Sequence, residues 1–397
     1  MILAVVVFAF LLRVISLNQS FWLDEATSGL VVRNFSLIGI ITKFSPGDFH
    51  PPLYYLILKI WSYIFGTNEI ALRFPSIIFG LLTVYLVYRI ALLITVHPAL
   101  PAGRRSQFTA IIAALLLATS GLHVYYSQEA RMYSLVTLLI SLLVYLFLKK
   151  KWLIFSIILM LVGLTDYPAL LIIPVFWILA KKDWKKLAIS HLPLAVGFFL
   201  WLPVFYRQLS IGFSINESAW SNLLGTFSFK NFALIPVKFI LGRISFDDKY
   251  IYASVVLVAV FLFGYLILKS TRLKSTRRVD SIIWLWLVVP IFLGMIISFR
   301  LSIFSYFRFL FCLPAFYLLV AVGLEKLKPK ISNILIIVLV GMNLTFSGIY
   351  LFTPRFQREG WRGLTSFIKN ESEGNTAVTL FVADSNMEAY KYYDSKA

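Results

Sequence analysis

The sequence predicts an all-α polytopic membrane protein with about 11 transmembrane helices, and three observations carry that prediction. The first is composition: of 397 residues, 60% are hydrophobic and only 14% charged. A soluble domain carries ~25% charged residues, and the mean hydropathy here is +0.85. The second is the recurrence, along the whole chain, of nearly uncharged runs long enough to cross ~30 Å of hydrocarbon. The third is that the short Lys/Arg clusters between those runs all fall on one face.

Taken in order, segment 1–17 leads to a long loop, 18–73, and segment 74–96 returns to "GRRS" (103–106). Segment 108–124 leads to "YYSQEAR" (125–131), and 132–148 returns to "KKK" (149–151). Segment 152–165 leads to "TDYP", and 168–180 returns to "KKDWKK" (181–186). Segment 187–204 opens a second long loop, 205–249, and 250–268 returns to "KSTRLKSTRR" (269–278). Segment 281–299 leads to "RLSIFSYFR" (300–308), and 309–324 returns to "EKLKPK" (325–330). Segment 331–351 ends at a tail, 354–397. Residues 1–353 thus form one membrane module, with the tail reading as a strand and a helix, a vestigial or truncated α/β unit too small to bury its own core.

The positive-inside rule makes the basic face cytoplasmic, so the N-terminus is expected in the cytoplasm and the C-terminus outside. This sorting, together with attraction to anionic lipid, accounts for much of the +19 net charge without a nucleic-acid partner. The single cysteine, Cys312, lies in an apolar run and excludes a disulfide framework or a Cys metal site. The first segment has no charged leader or small-residue cleavage site, so it reads as a retained helix. Four N-x-S/T patterns, at Asn18, Asn34, Asn216 and Asn370, are too common by chance to carry weight.

The opposite face gathers a different set of residues: "FWLDEATSG" (21–29), "DFHPPLYY" (48–55), "YYSQEARMY" (125–133), Asp166 with Tyr167, and Arg300 with Arg308. Asp24 and Glu25 are two of only 18 acids. An isolated Asp at a helix start is an ordinary N-cap. Two adjacent acids in an apolar setting raise one another's pKa, which suits general-base activation of a hydroxyl. His50 precedes two prolines and is therefore extended, an interfacial anchor or a donor to an anionic ligand. Arg131 and Arg308 read either as snorkelling interfacial ion pairs, Arg131 with Glu129, or as phosphate-binding forks. Arg13, about a turn from the outer end of the first helix, is expected to snorkel outward. A carboxylate, cations and a membrane together fit glycosyl transfer from a lipid-phosphate sugar.

"FWLDEATSG", "HPPLYYLILKIWSYIFGTNEIALRFPSIIFG" and "YSQEARMYSL", in that order, resemble the successive signatures of C-type-fold membrane glycosyltransferases. The nearest group is the protein O-mannosyltransferase and aminoarabinose-lipid A transferase type. "SYFRFLFCLPAFYLLVAVGL" and "REGWRGLTSFIKN" are similar to later family segments, so the likeness covers most of residues 10–370. It implies a helical bundle whose long outer loops carry membrane-parallel helices. It also implies an inverting transfer from a polyprenyl-phosphate sugar to a hydroxyl of a protein, lipid or envelope glycan. By the same resemblance Asp24 is the base, Glu25 its companion, and His50, Arg131 and Arg308 surround the donor phosphate, across the sugar from Asp24. Tyr54, Tyr126, Gln128, Glu129, Tyr133, Asp166 and Tyr306 are expected to line the site. A divalent metal ion, if used, would draw on Asp24, Glu25 and His50. The competing reading is a transporter or flippase of lipid-linked sugars; it would place ionisable groups near mid-bilayer on broken helices rather than at one boundary.

Overall fold

The computed structural model of the protein describes residues 1–95, 104–216, 225–271, 278–372, 379–381 and 384–394. Residues 272–277 of the basic stretch predicted at 269–278, the first residue of "GRRS", residues 217–224 of the second long loop and most of the strand predicted in the tail lie outside these residues. Among the described residues the chain is helical, with no strand. Helices are what an apolar chain forms in lipid, because they satisfy every backbone group within one segment.

Each of the eleven predicted segments is helical over most of its length. Among the described residues five helices are long and apolar enough to cross a membrane unaided, and six are if one bent pair counts as a single span. The others are shorter, among them α1 (Ile2–Val14). The first long loop holds α2 (Leu23–Asn34), a run of helical turns over residues 37–47, and α3 (Leu53–Phe65). α4 (Glu69–Thr95) starts five residues before the predicted span. Its first turn is capped by Asn68, whose side-chain oxygen accepts from Ala71 N at 2.9 Å.

α5 (Arg104–Thr119) and α6 (Gly121–Ser127) are one apolar stretch bent by 62°. A bend of this kind frees carbonyls that must be satisfied from elsewhere. Arg13 supplies one partner, donating to Ala118 O at 3.1 Å while its other nitrogen meets His123 Nδ1 at 2.6 Å. Asn343 donates to Leu116 O at 3.0 Å, and Ser347 to Thr119 O at 2.8 Å. Arg13 therefore points into the bundle and is fully buried, not outward as the sequence suggested: the free carbonyls lie inside.

The remaining helices are α7 (Tyr133–Leu148), α8 (Trp152–Gly163), α9 (Ile173–Ala180), α10 (Trp184–Ser190), α11 (Leu192–Asn216), α12 (Phe229–Leu241), α13 (Lys249–Ser270), α14 (Arg278–Ile297), α15 (Leu313–Glu325) and α16 (Pro329–Phe352). α15 and the 3₁₀ turn before it, Tyr306–Cys312, form the centre: 83% of that stretch is buried, against 11% for α11 and 17% for α13. Gly323 lets α15 approach α13, since a Cβ there would collide with the Leu266 backbone. Beyond α16, the tail continues as a 3₁₀ turn, Pro354–Phe356, then α17 (Trp361–Glu371) and α18 (Asp384–Tyr393).

Candidate active site

One end of the bundle collects the polar residues of the first loop, the α6–α7 turn, the α8–α9 turn and the turn before α15. Asp24 and Glu25 occupy the first turn of α2, where the helix dipole favours anions. The N-cap is Trp22, not Asp24, and it gives no side-chain cap.

The two acids part at once. Glu25 is fully buried and takes a two-pronged contact from Arg73, at 2.8 and 2.6 Å. It also accepts from Ala130 N at 2.8 Å. Burial opposes its charge, but Arg73 more than compensates and holds the carboxyl below its ordinary range. The rest of the Arg73 head donates to Leu17, Gln19 and Ser20 carbonyls, so this pair ties α4 to the loop before α2. Asp24 faces out: its side chain is 37% exposed, and among the described residues its one ion contact is Arg131 at 3.6 Å.

Arg131 donates to the Tyr55 hydroxyl at 3.2 Å, and Tyr55 donates to Asp48 Oδ2 at 2.9 Å. The same Asp48 oxygen lies 3.5 Å from His50 Nδ1. Burial would raise the Asp48 carboxyl, but His50 and then Arg131 bring it down to about 2. A relay of neighbouring groups thus runs Asp24–Arg131–Tyr55–Asp48–His50. His50 opens into a cavity of about 250 Å³ whose polar end also holds Asp166, Gln208 and Arg308. Its walls are apolar, among them Leu171, Phe205, Leu209, Ile297 and Leu301. Gln208 fixes this end by donating to Ser45 O and His50 O, at 2.7 and 3.1 Å. Asp166 is buried, which raises its carboxyl against the pull of His50 and Arg308.

Glu129 accepts from Trp22 Nε1 at 3.1 Å and lies 3.7 Å from Arg358. Burial, with Glu25 nearby, pushes its carboxyl up to about 8. Tyr126 and Tyr133 stack edge to face at 5.0 Å, Tyr133 meets Phe307 at 5.5 Å, and Tyr306 packs beside Phe307.

Several expectations therefore change. Arg131 does not pair with Glu129, nor does it lie across a sugar from Asp24; it is Asp24's direct neighbour. Glu25 is occupied by Arg73 and Gln128 by the Arg13 and Ile15 carbonyls, so both act as brackets. Tyr54 turns its hydroxyl to Ser76 at 3.2 Å. Among the described residues no three His, Cys, Asp or Glu groups gather as a metal site, and Asp24, Glu25 and His50 do not form one. His50, Asp166 and Arg308 do share one cavity. Asp48, Tyr55, Arg73, Gln208 and Arg358 were not singled out from sequence. Asp48 and Tyr55 are the first and last residues of the quoted "DFHPPLYY" stretch, and Arg73 is a charge entering an apolar run, which needs a partner.

Residues 49–207 match the family model of the dolichyl-phosphate-mannose-protein mannosyltransferases. An uncharacterised protein of Aquifex aeolicus (strain VF5) is 29% identical over 188 residues, 44% of this chain. That match spans 35% of the relative's length, about a third. Crystal structures of ArnT from Cupriavidus metallidurans superpose on nearly the whole chain. The apo form gives a TM-score of 0.52 at 13% identity, over 98% of this chain and 67% of ArnT. The form bound to undecaprenyl phosphate gives 0.53 at 14%, over 99% and 68%. The chain is thus a polytopic membrane protein that shares the fold of ArnT.

Proposed function

We propose that the protein is an inverting glycosyltransferase. It moves a monosaccharide from a polyprenyl-phosphate carrier to a hydroxyl acceptor on the extracytoplasmic side of the cell membrane. One observation carries this reading: an accessible carboxylate, Asp24, is linked through Arg131, Tyr55 and Asp48 to an amphipathic cavity whose polar end holds His50 and Arg308. A lipid phosphate has that same division, an anionic head on an apolar chain. His50 and Arg308 would hold the head and stabilise the charge that develops as it leaves. The acceptor oxygen attacks the anomeric carbon, the bond from that carbon to phosphate oxygen breaks, and the hydroxyl proton passes to Asp24. Polyprenyl phosphate departs as the anion. Arg131 orients the carboxylate rather than the phosphate. The ArnT structure with undecaprenyl phosphate and the mannosyltransferase family model support the carrier class.

The test is to incubate purified protein, in lipid, with a panel of labelled polyprenyl-phosphate sugars and candidate acceptors, and to measure released carrier phosphate. Release that disappears in Asp24→Asn is expected. A folded protein that leaves every carrier intact, yet moves it between leaflets, would replace this reading with the flippase. The orientation is tested by cysteines placed at Lys149 and Ser372, since Cys312 is buried and silent. They should label from opposite sides, Ser372 from outside.

A further inference from the structure

The tail beyond α16 does not stand apart from the membrane module; it grips the loop that carries Asp24. Arg358 N donates to Gln19 Oε1 at 2.8 Å, and its guanidinium lies 3.8 Å over the Tyr125 ring. That same buried head sits 3.8 Å from Glu25 and 3.7 Å from Glu129. Arg362 N donates to Ser20 Oγ at 3.0 Å, while its side chain reaches Asn18 O at 3.0 Å and Glu69 at 3.2 Å. At the far end of the tail, the Tyr393 hydroxyl accepts from Phe21 N at 2.7 Å and donates to Glu69 Oε1 at 2.8 Å. Phe21 N–H belongs to the residue just before the N-cap of α2, a helix start with no side-chain cap of its own. Tyr392 packs against Gly29, where a Cβ would strike its ring, and under the Arg33 guanidinium at 3.7 Å. Both flanks of Asp24 are thus held from residues more than three hundred positions away.

We propose that the described parts of the tail, residues 354–372 and 384–393, form a clamp on the first loop, with Arg358 and Tyr393 as positioning residues that fix α2 and so set the direction of the Asp24 carboxylate. Neither residue touches the cavity that holds His50, Asp166 and Arg308. The clamp therefore governs the chemical step and leaves donor binding alone. This inference rests on Asp24 being the base; the loop-order measurement below does not.

Two measurements test it, on the full chain in lipid nanodiscs. The first is amide hydrogen exchange over residues 18–30 in wild type, Tyr393→Phe, Arg358→Gln and Arg358→Lys. Losing a buried hydrogen bond or a charge contact should speed exchange at Phe21 and the first turn of α2 roughly tenfold. The exposed Ser366→Ala on α17 should change nothing. The second is steady-state transfer. Tyr393→Phe and Arg358→Gln should lower kcat about tenfold at unchanged KM for the carrier, with Arg358→Lys recovering part of the loss. Unchanged exchange at residues 18–30, or a change in KM with kcat preserved, overturns the clamp. If Arg358→Gln does not fold, Tyr393→Phe, which removes a single oxygen, decides alone. If wild type consumes no carrier, the glycosyltransferase reading fails while the exchange result still decides whether the clamp exists.

Discussion

Asp24 and Glu25 are chain neighbours in opposite surroundings. Glu25 has no exposed surface and three close donors, two from Arg73 and one from Ala130 N. Asp24 is 37% exposed and has one loose ion contact at 3.6 Å. A buried carboxylate surrounded by donors is stable as an anion and has little left to offer a substrate. A partly open carboxylate with a single oriented neighbour can still take a proton. The difference teaches that a paired-acid motif divides its labour. One acid is tied into the loop while its neighbour stays open.

The largest effect should come from exchanging what each acid can do. Asp24→Asn keeps shape and removes basicity, so transfer should fall by about 10²–10⁴ with stability unchanged. Arg131→Ala should lower kcat in the same direction and less, because it orients the base. Near-normal turnover by a folded Asp24→Asn protein would end the assignment. Next comes Arg73→Met, which leaves Glu25 buried without its partner. Breaking a buried pair in this way costs about 3–5 kcal/mol. Denaturation of the variant in mixed micelles measures that loss, and any protein that survives should retain Asp24-dependent chemistry. A stable Arg73→Met protein would show that the bracket around Glu25 is not what holds the loop.

The sequence made one side of this comparison legible and hid the other. Long apolar runs and one-sided basic clusters are local patterns, so the segments from 1–17 to 331–351 could be placed directly. The acidic pair, His50, Asp166 and Arg308 were visible as scarce polar groups at one boundary. Which acid would be buried was not visible, because Arg73 is 48 positions from Glu25 and nothing local announces the pairing. Arg13 misled for a related reason. Its inward direction depends on a helix break at residue 120, and an apolar run does not show which carbonyls such a break will free. Arg358 was the least legible, since its partners come from the first loop and the α6–α7 turn.

A smaller effect sharpens the cavity end of the comparison. Arg308→Ala removes a cation from the polar end of the cavity without touching the Glu25 bracket. A charge-assisted contact to phosphate is worth roughly 1.5–3 kcal/mol, so carrier affinity should fall about tenfold to a hundredfold with the fold intact. Binding of a labelled polyprenyl phosphate, with no acceptor present, reads this directly. An unchanged affinity would detach Arg308 from the donor site.

The smallest expected effect concerns Glu129, the third acid of the cluster. Its folded carboxyl is raised to about 8 from an ordinary value of 4.5. Between those values the folded protein keeps this proton and the unfolded chain does not. The folded state thus binds more protons, and Glu129's contribution to stability falls as pH rises through the window, levelling off above it. Glu25 and Asp48, whose carboxyls are lowered, titrate beneath this window and contribute a constant amount within it. Asp166, raised by burial, acts with the same sign as Glu129 and keeps some slope in any single variant. The clean measurement is therefore a difference. Glu129→Gln keeps an acceptor for Trp22 Nε1 and cannot titrate. From pH 6 to 7.5 wild type should lose about 1–2 kcal/mol relative to the variant, since one pH unit of full linkage is about 1.4 kcal/mol. Parallel stability curves for the two proteins would mean that Glu129 is ionised when folded. Its contact with Arg358 would then be a full ion pair, and the asymmetry between buried and open acids would rest on Glu25 alone.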